Sequence, residues 1–217
     1  MIVTSFKSPK DLLDVTIKWI PTEPYIKNYV YAFKMLDYFN YFKNASIITL
    51  LSTIGHIAAC SFIAYGMARY NFPLKRFIIV MVILSILVPL QTIIIPLYKR
   101  TADLKMLNTY WPIILPCFMG LGLKGGLFIF IFKQSFESLP TSLEEAARID
   151  GCGFIRIYYN IVLPIVKPAI LVTFILSMVW HWNDYYEPSV YLSIREKFPL
   201  SLVLNSLKEI INEVLEG

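Results

Sequence analysis

"SLPTSLEEAARIDGCGFIRIYYNIVLPIVKPA", residues 138–169, is a charged, glycine-punctuated stretch set between two long apolar runs. Pro140 ends whatever helix precedes it. Thr141 and Ser142 each stand three residues before a glutamate, Glu144 and Glu145, so two overlapping capping boxes are available to start a helix. The i, i+3, i+4 spacing puts Leu143, Ala146, Ala147 and Asp150 on one face, with Glu144, Glu145 and Arg148 on its flanks. Gly151 and Gly153 supply the left-handed conformation that stops such a helix. The chain then reverses into a second short helix, Phe154–Ile161, and Leu163-Pro164 marks entry to the next apolar run. A helix of barely two turns is marginal in water and needs outside support. Its small face of Ala146, Ala147 and Gly151 admits the close approach of another surface, as when a helix seats in a partner's groove. On the residues alone, that reading and a plain surface hairpin resting on lipid headgroups both stay open.

The surroundings decide the environment. Of 217 residues, 57% are hydrophobic and only 16% charged, and mean hydropathy is +0.60. Soluble domains carry charge on about a quarter of their residues, so the deficit points to lipid. Aromatic residues make up 15% of the chain, and many Tyr and Trp lie near the ends of apolar runs, as in interfacial belts. Apolar runs at about 44–69, 77–98, 109–133 and 161–182 each approach the length a bilayer needs. The first, "NASIITLLSTIGHIAACSFIAYGMAR", is rich in the small residues that let helices approach closely in a membrane. The second carries Pro89 and Pro96, which predict a bend. The third carries Pro116 and a glycine cluster, Gly120, Gly122, Gly125 and Gly126. Residues 1–42 read as a loop with a short helix near 27–38, and 200–215 as a terminal amphipathic helix.

Net charge is +5 with scattered basic residues, which suits headgroups or anionic partners better than nucleic acid. The turn at 69–76 is dense in cations, as cytoplasmic loops are, yet Lys7, Lys10, Lys18, Lys27, Lys34, Lys99, Arg100 and Lys105 elsewhere leave orientation open by charge alone. Cys60, Cys117 and Cys152 lack metal or disulfide spacing. "GLGLKGGLF", 120–128, has glycines and a lysine but no phosphate-loop pattern. His181 and Asp184 are accompanied by no nucleophile motif, and no enzymatic acid–base constellation is present. Pore or solute-path candidates are His56, Gln91 between the two prolines, Lys124 inside an apolar run, and Trp182, Asn183 and Asp184, which read equally as a gate or as a plain interfacial belt.

"EAARIDGCGFIRIYYNIVLP", with Glu145, Ala146, Ala147, Gly151, Ile161, Leu163 and Pro164 in order, resembles the EAA motif of bacterial and archaeal ABC-transporter permeases. Asp150 before the glycine and "WND" at 182–184 are similar to the carbohydrate-importer branch, in particular its maltose-type second permeases. "SPKDL" at 8–12, "KNYVYAF" at 27–33, "IPLY" at 95–98 and "LNTYWPIILP" at 107–116 extend the resemblance over nearly the whole chain. It implies an all-α, polytopic helical membrane protein of the ABC importer permease fold. Family members have six spans, so the four runs would correspond to the middle four, with the first and sixth family spans missing. The resemblance implies an external loop at 1–42, a transmembrane core at 43–182 with a cytoplasmic coupling loop at 134–160, and an external loop at 183–217. It further implies that Glu144, Glu145, Ala146, Ala147, Arg148, Asp150 and Gly151 dock on an ATPase subunit dimer, which carries the ATP and magnesium; no cofactor is expected in this chain. A second homologous permease, an extracytoplasmic solute-binding protein and membrane lipids are the other expected partners. The implied activity is sugar or oligosaccharide import across the cytoplasmic membrane by alternating access, with a polyol, glycerol phosphate or other solute as the alternative cargo. A self-sufficient secondary transporter would instead show charges deep in several spans, where only Lys124 qualifies.

Overall fold

The computed structural model describes residues 2–8, 11, 24–35 and 37–216. Residues 9–10 and 12–23, with most of the "SPKDL" fragment and part of the loop expected over 1–42, lie outside the described residues. Short helices α1 (Ile2–Ser5) and α2 (Lys27–Met35) precede the central helix, α3 (Tyr38–Arg69). At 1.5 Å per residue, the 32 residues of α3 run about 48 Å. One stripe of it is buried: Tyr41, Ala45, Ile48, Ser52, His56, Cys60, Ala64 and Met67 recur at three- and four-residue intervals. The small residues in that stripe are why three other helices lie close against α3.

Those neighbours come from apolar runs that the sequence reading treats as spans and that the structure breaks. The run at 77–98 forms α4 (Lys75–Leu87) and α5 (Leu90–Asp103), bent by 101°. The break falls at Pro89: Val88 before it turns extended, at φ −75° and ψ 115°, as the residue ahead of a proline prefers. Pro96 stays inside α5. The run at 109–133 is not one helix but α6 (Trp111–Phe118) and α7 (Gly125–Glu137). Gly120, Gly122 and Lys124 between them all have positive φ, which ends one helix and starts the next. The run expected at 161–182 starts later than its hydropathy suggests. Residues 154–165 form a lateral helix, α9 (Phe154–Ile165), and a 78° bend precedes α10 (Lys167–Asn183). Pro168 has no N–H to offer the carbonyl of residue 164, so the ladder parts there; Pro164 likewise cannot serve residue 160, and the backbone widens into a π-turn at Tyr158–Val162. Among the described residues, one helix, α3, is long and apolar enough to cross a membrane unbroken, and two bent pairs pass when each is taken together.

Helices α7, α10 and α6 pack on α3, and α4 packs on α7. Gly126 permits the last contact, because a Cβ there would lie 2.5 Å from Ser85 Oγ and 2.9 Å from the Val82 carbonyl. Helix α4 has no buried residue at all; Phe77, Val80, Ile83 and Leu87 face outward, a surface that only lipid or another subunit covers. The chain ends in α11 (Tyr186–Tyr191) and α12 (Leu200–Glu216). Asn44 on α3 donates to the carbonyls of Glu196 and Phe198 at 2.8 and 3.0 Å, tying this terminal region to the N-terminal end of α3.

Candidate functional site

The opening stretch forms α8 (Ser142–Ile149), joined to α9 by a tight reversal. Its C-terminus follows the expected stop in detail. Gly151 has φ +81°, its N–H donates to the Arg148 carbonyl at 3.0 Å, and the Cys152 N–H donates to Ala147 at 2.9 Å. These are the two bonds of a Schellman motif. The N-terminus departs from expectation. Thr141 is the cap residue but makes no side-chain capping bond, and its φ and ψ are already helical. The expected capping boxes do not form: Glu144 turns the other way, and Ser142 is already the first residue of the helix rather than its cap.

Glu144 is 3% exposed. Tyr65 Oη donates to its Oε2 at 2.8 Å, and Arg69 Nε donates to its Oε1 at 2.6 Å. The guanidinium also donates from Nη2 to the Leu139 carbonyl at 3.0 Å. Arg148 reaches the same carboxylate only at 3.8 Å and is half exposed. Thus α8 is fastened to the end of α3 by a buried, charge-assisted pair. The face expected to hold Leu143, Ala146, Ala147 and Asp150 together is split. Ala147 is buried with Glu144, while Leu143, Glu145, Ala146, Arg148, Ile149, Asp150 and Gly151 face outward. Ile149 is 87% exposed, the most open large apolar side chain on the protein's described surface. An open groove of about 710 Å³ lined by Gly153, Phe154, Ile155, Arg156, Tyr159 and Asn160 adjoins this knob. Under it, Tyr65 stacks on Phe154 and meets Phe136 edge-on. Arg69 and Tyr65, which hold α8 through Glu144, are positions that sequence reasoning passed over, although their i, i+4 spacing puts both on one face of α3.

The solute-path candidates do not converge. Gln91 is exposed at the start of α5, and Lys124 is exposed at the break between α6 and α7. Trp182 packs edge-on to Phe42 with ring centres 5.4 Å apart. Asn183 donates to the Val179 carbonyl of its own helix at 2.7 Å. Asp184 accepts from the Tyr186 N–H at 3.0 Å, a local turn just ahead of α11. Glu187, absent from the sequence candidates, lies buried just beyond α10. Burial pushes its carboxyl up to about 8, with the neighbouring Asp184 carboxylate adding to the rise. His56 alone joins a polar centre. Its Nε2–H donates to the Leu121 carbonyl at 2.9 Å, so Nδ1 accepts, and Ser177 Oγ donates to it at 3.3 Å. Thr53 Oγ1 donates in turn to Ser177 at 3.0 Å, and His181 and Cys117 complete the cluster.

The model of the family described as "Binding-protein-dependent transport system inner membrane component" matches residues 52–207. The arabinooligosaccharide transport system permease AraQ of Bacillus subtilis is 31% identical over 211 residues, covering 95% of this chain and 73% of AraQ. The probable starch degradation products transport system permease AmyC of Thermoanaerobacterium thermosulfurigenes is 32% identical over 193 residues, covering 89% of this chain and 69% of AmyC. Among solved structures, a bacterial ABC transporter involved in the import of the acidic polysaccharide alginate has a chain that superposes with a TM-score of 0.80 at 20% identity. The match covers 100% of this chain and 77% of that one.

Proposed function

The chain belongs to the family of binding-protein-dependent transport system inner membrane components, and from that premise we propose that it is the permease subunit of an ATP-driven importer of a sugar or oligosaccharide in the cytoplasmic membrane of a bacterium or archaeon. It is a multi-pass membrane protein and not an enzyme. ATP and magnesium act on a separate ATPase dimer, a second permease completes the pathway, and an extracytoplasmic solute-binding protein delivers the cargo. The reading is carried by α8, which presents Leu143 and Ile149 outward while Glu144 fastens it to α3. A helix that short, with an apolar tip and exposed Glu145 and Arg148 beside it, suits a groove on a partner. When the ATPase dimer closes, the seated knob moves with the groove and α3 moves with the knob. Repeated closing and opening exposes the pathway alternately to each side of the membrane.

The test uses Ile149→Cys in a Cys152→Ser background, with the complex in oriented vesicles. A membrane-impermeant maleimide should label position 149 only from the cytoplasmic face, and addition of the purified ATPase should protect it. Labelling from the outside would sink the reading. Glu145→Lys, which reverses an outward charge without touching α3, should lower co-purification of the ATPase several-fold; unaltered recovery counts against the docking role.

A further inference from the structure

Three helices each contribute one chemically capable side chain to a single buried point. His56 of α3 and Cys117 of α6 are 0% exposed, and His181 of α10 is 4% exposed. One donor atom from each lies within 4.8 Å of the others. His181 Nε2 is 3.5 Å from His56 Nδ1 and 3.8 Å from Cys117 Sγ. Zinc–nitrogen bonds of about 2.0–2.1 Å and zinc–sulfur bonds of about 2.3 Å at tetrahedral angles separate ligand nitrogens by about 3.3 Å and nitrogen from sulfur by about 3.6 Å. Two of the three separations lie within about 0.2 Å of those edges, and the third, between His56 and Cys117, is no more than 4.8 Å. We propose that His56 Nδ1, His181 Nε2 and Cys117 Sγ form a three-ligand site for a zinc-class divalent ion.

The surrounding bonds prepare the ligands. The Leu121 carbonyl takes the Nε2 proton of His56, which leaves the Nδ1 lone pair facing the cluster, the arrangement that orients a metal-binding imidazole. In the ion-free cluster His181 Nε2 donates towards the bare His56 Nδ1 at 3.5 Å; His181 Nδ1 is buried with no hydrogen-bond partner among the described residues, so the ring proton can move there and leave Nε2 to the ion. Binding releases the Cys117 thiol proton to solvent. A divalent ion on one thiolate and two neutral imidazoles leaves a single positive charge. Glu187, 6% exposed and near enough to act electrostatically on Cys117, balances that charge when ionised. Ser177 Oγ, which donates to His56 Nδ1 at 3.3 Å in the ion-free cluster, gives up that bond when the ion takes the lone pair and then borders the fourth position. Because the ligands come from α3, α6 and α10, the ion would pin together three helices that must shift relative to one another during transport.

The experiment takes the full chain in nanodiscs, strips it with EDTA and titrates it with cobalt(II), then displaces the cobalt with zinc. One cobalt per chain is expected, with a near-ultraviolet sulfur-to-metal band and the visible bands of a tetrahedral site. Cys117→Ser should abolish the sulfur band, His181→Gln should lower affinity at least tenfold, and Cys152→Ser should change neither. Zinc should raise the Tm of the parent protein and leave that of Cys117→Ser unmoved. If Cys117→Ser does not fold, the parent stoichiometry and the His181→Gln titration decide alone. A parent protein with no sulfur band, or a band that survives Cys117→Ser, overturns the site and leaves the trio as a hydrogen-bonded cluster.

Discussion

Arg69→Met is the perturbation that most directly tests how α8 is held. In the native protein the Arg69 and Glu144 side chains are 7% and 4% exposed, with 2.6 Å between Nε and Oε1. Methionine fills most of the arginine volume but strands the Glu144 carboxylate with Tyr65 as its remaining close donor. Removing one partner of a buried pair costs about 3–5 kcal/mol, because an uncompensated charge stays behind. For a chain of this size each kcal/mol lowers Tm by about 2–4 °C, so Arg69→Met should lose roughly 6–20 °C. Glu144→Gln keeps an acceptor but leaves the buried Arg69 guanidinium without its counterion, so it should cost a similar amount, about 3–5 kcal/mol. The decisive variant is the double replacement Arg69→Met with Glu144→Leu. With no charge left to strand, most of the lost stability should return. Thermal unfolding of the parent and these variants, with Glu144→Leu alone added to close the cycle, is measured in identical nanodiscs. If the double variant is as unstable as Arg69→Met, or if Arg69→Met is neutral, the buried-pair account of α8 is wrong.

Gly151→Pro replaces a residue at φ +81° by one confined near −65° and deletes the N–H bond to Arg148; ATP-driven uptake should fall sharply while membrane insertion, followed by protease protection, stays intact. Gly126→Val would press side-chain atoms against the Val82 carbonyl, and overpacking of that kind should cost about 1–3 kcal/mol in thermal unfolding. Glu187 predicts a pH dependence in metal-free buffer. The groups facing it are Asp184 and Tyr191 from its own segment and Cys117 from α6. Its ordinary value is 4.5 and burial raises it to about 8, so within that window the folded protein keeps a proton that the unfolded chain has released. Stability should therefore fall as pH rises from about 4.5 to about 8, by up to about 1.4 kcal/mol per pH unit, and Glu187→Gln should flatten the slope, as Tm measured across that range will show.

Local chemistry was legible where a few neighbouring residues settle the outcome. The stop at Gly151, the terminal helix from Leu200 and the helical membrane architecture follow from spacing and composition, and the family resemblance is borne out by the match over 52–207. The capping boxes failed because Tyr65 and Arg69, 79 and 75 residues away, compete for Glu144; no local rule contains that attraction. Hydropathy located the apolar runs but not their breaks. Pro89 was visible, yet neither its 101° angle nor the late start of α10 after Pro168 is encoded in a running average. The meeting of Cys117 with His181, 64 residues on, likewise needs the packing of α6, α3 and α10 to become apparent.

The pairing of Glu144 with Arg69 makes α3 a lever. The knob is gripped at one extremity, and about 38 Å away Asn44 holds the carbonyls of Glu196 and Phe198. A tilt of about 5° at the gripped end sweeps Asn44 through about 3 Å over that length. A modest stroke in the engine thus becomes, at the distal rim, a displacement as wide as a hydroxyl group and its water.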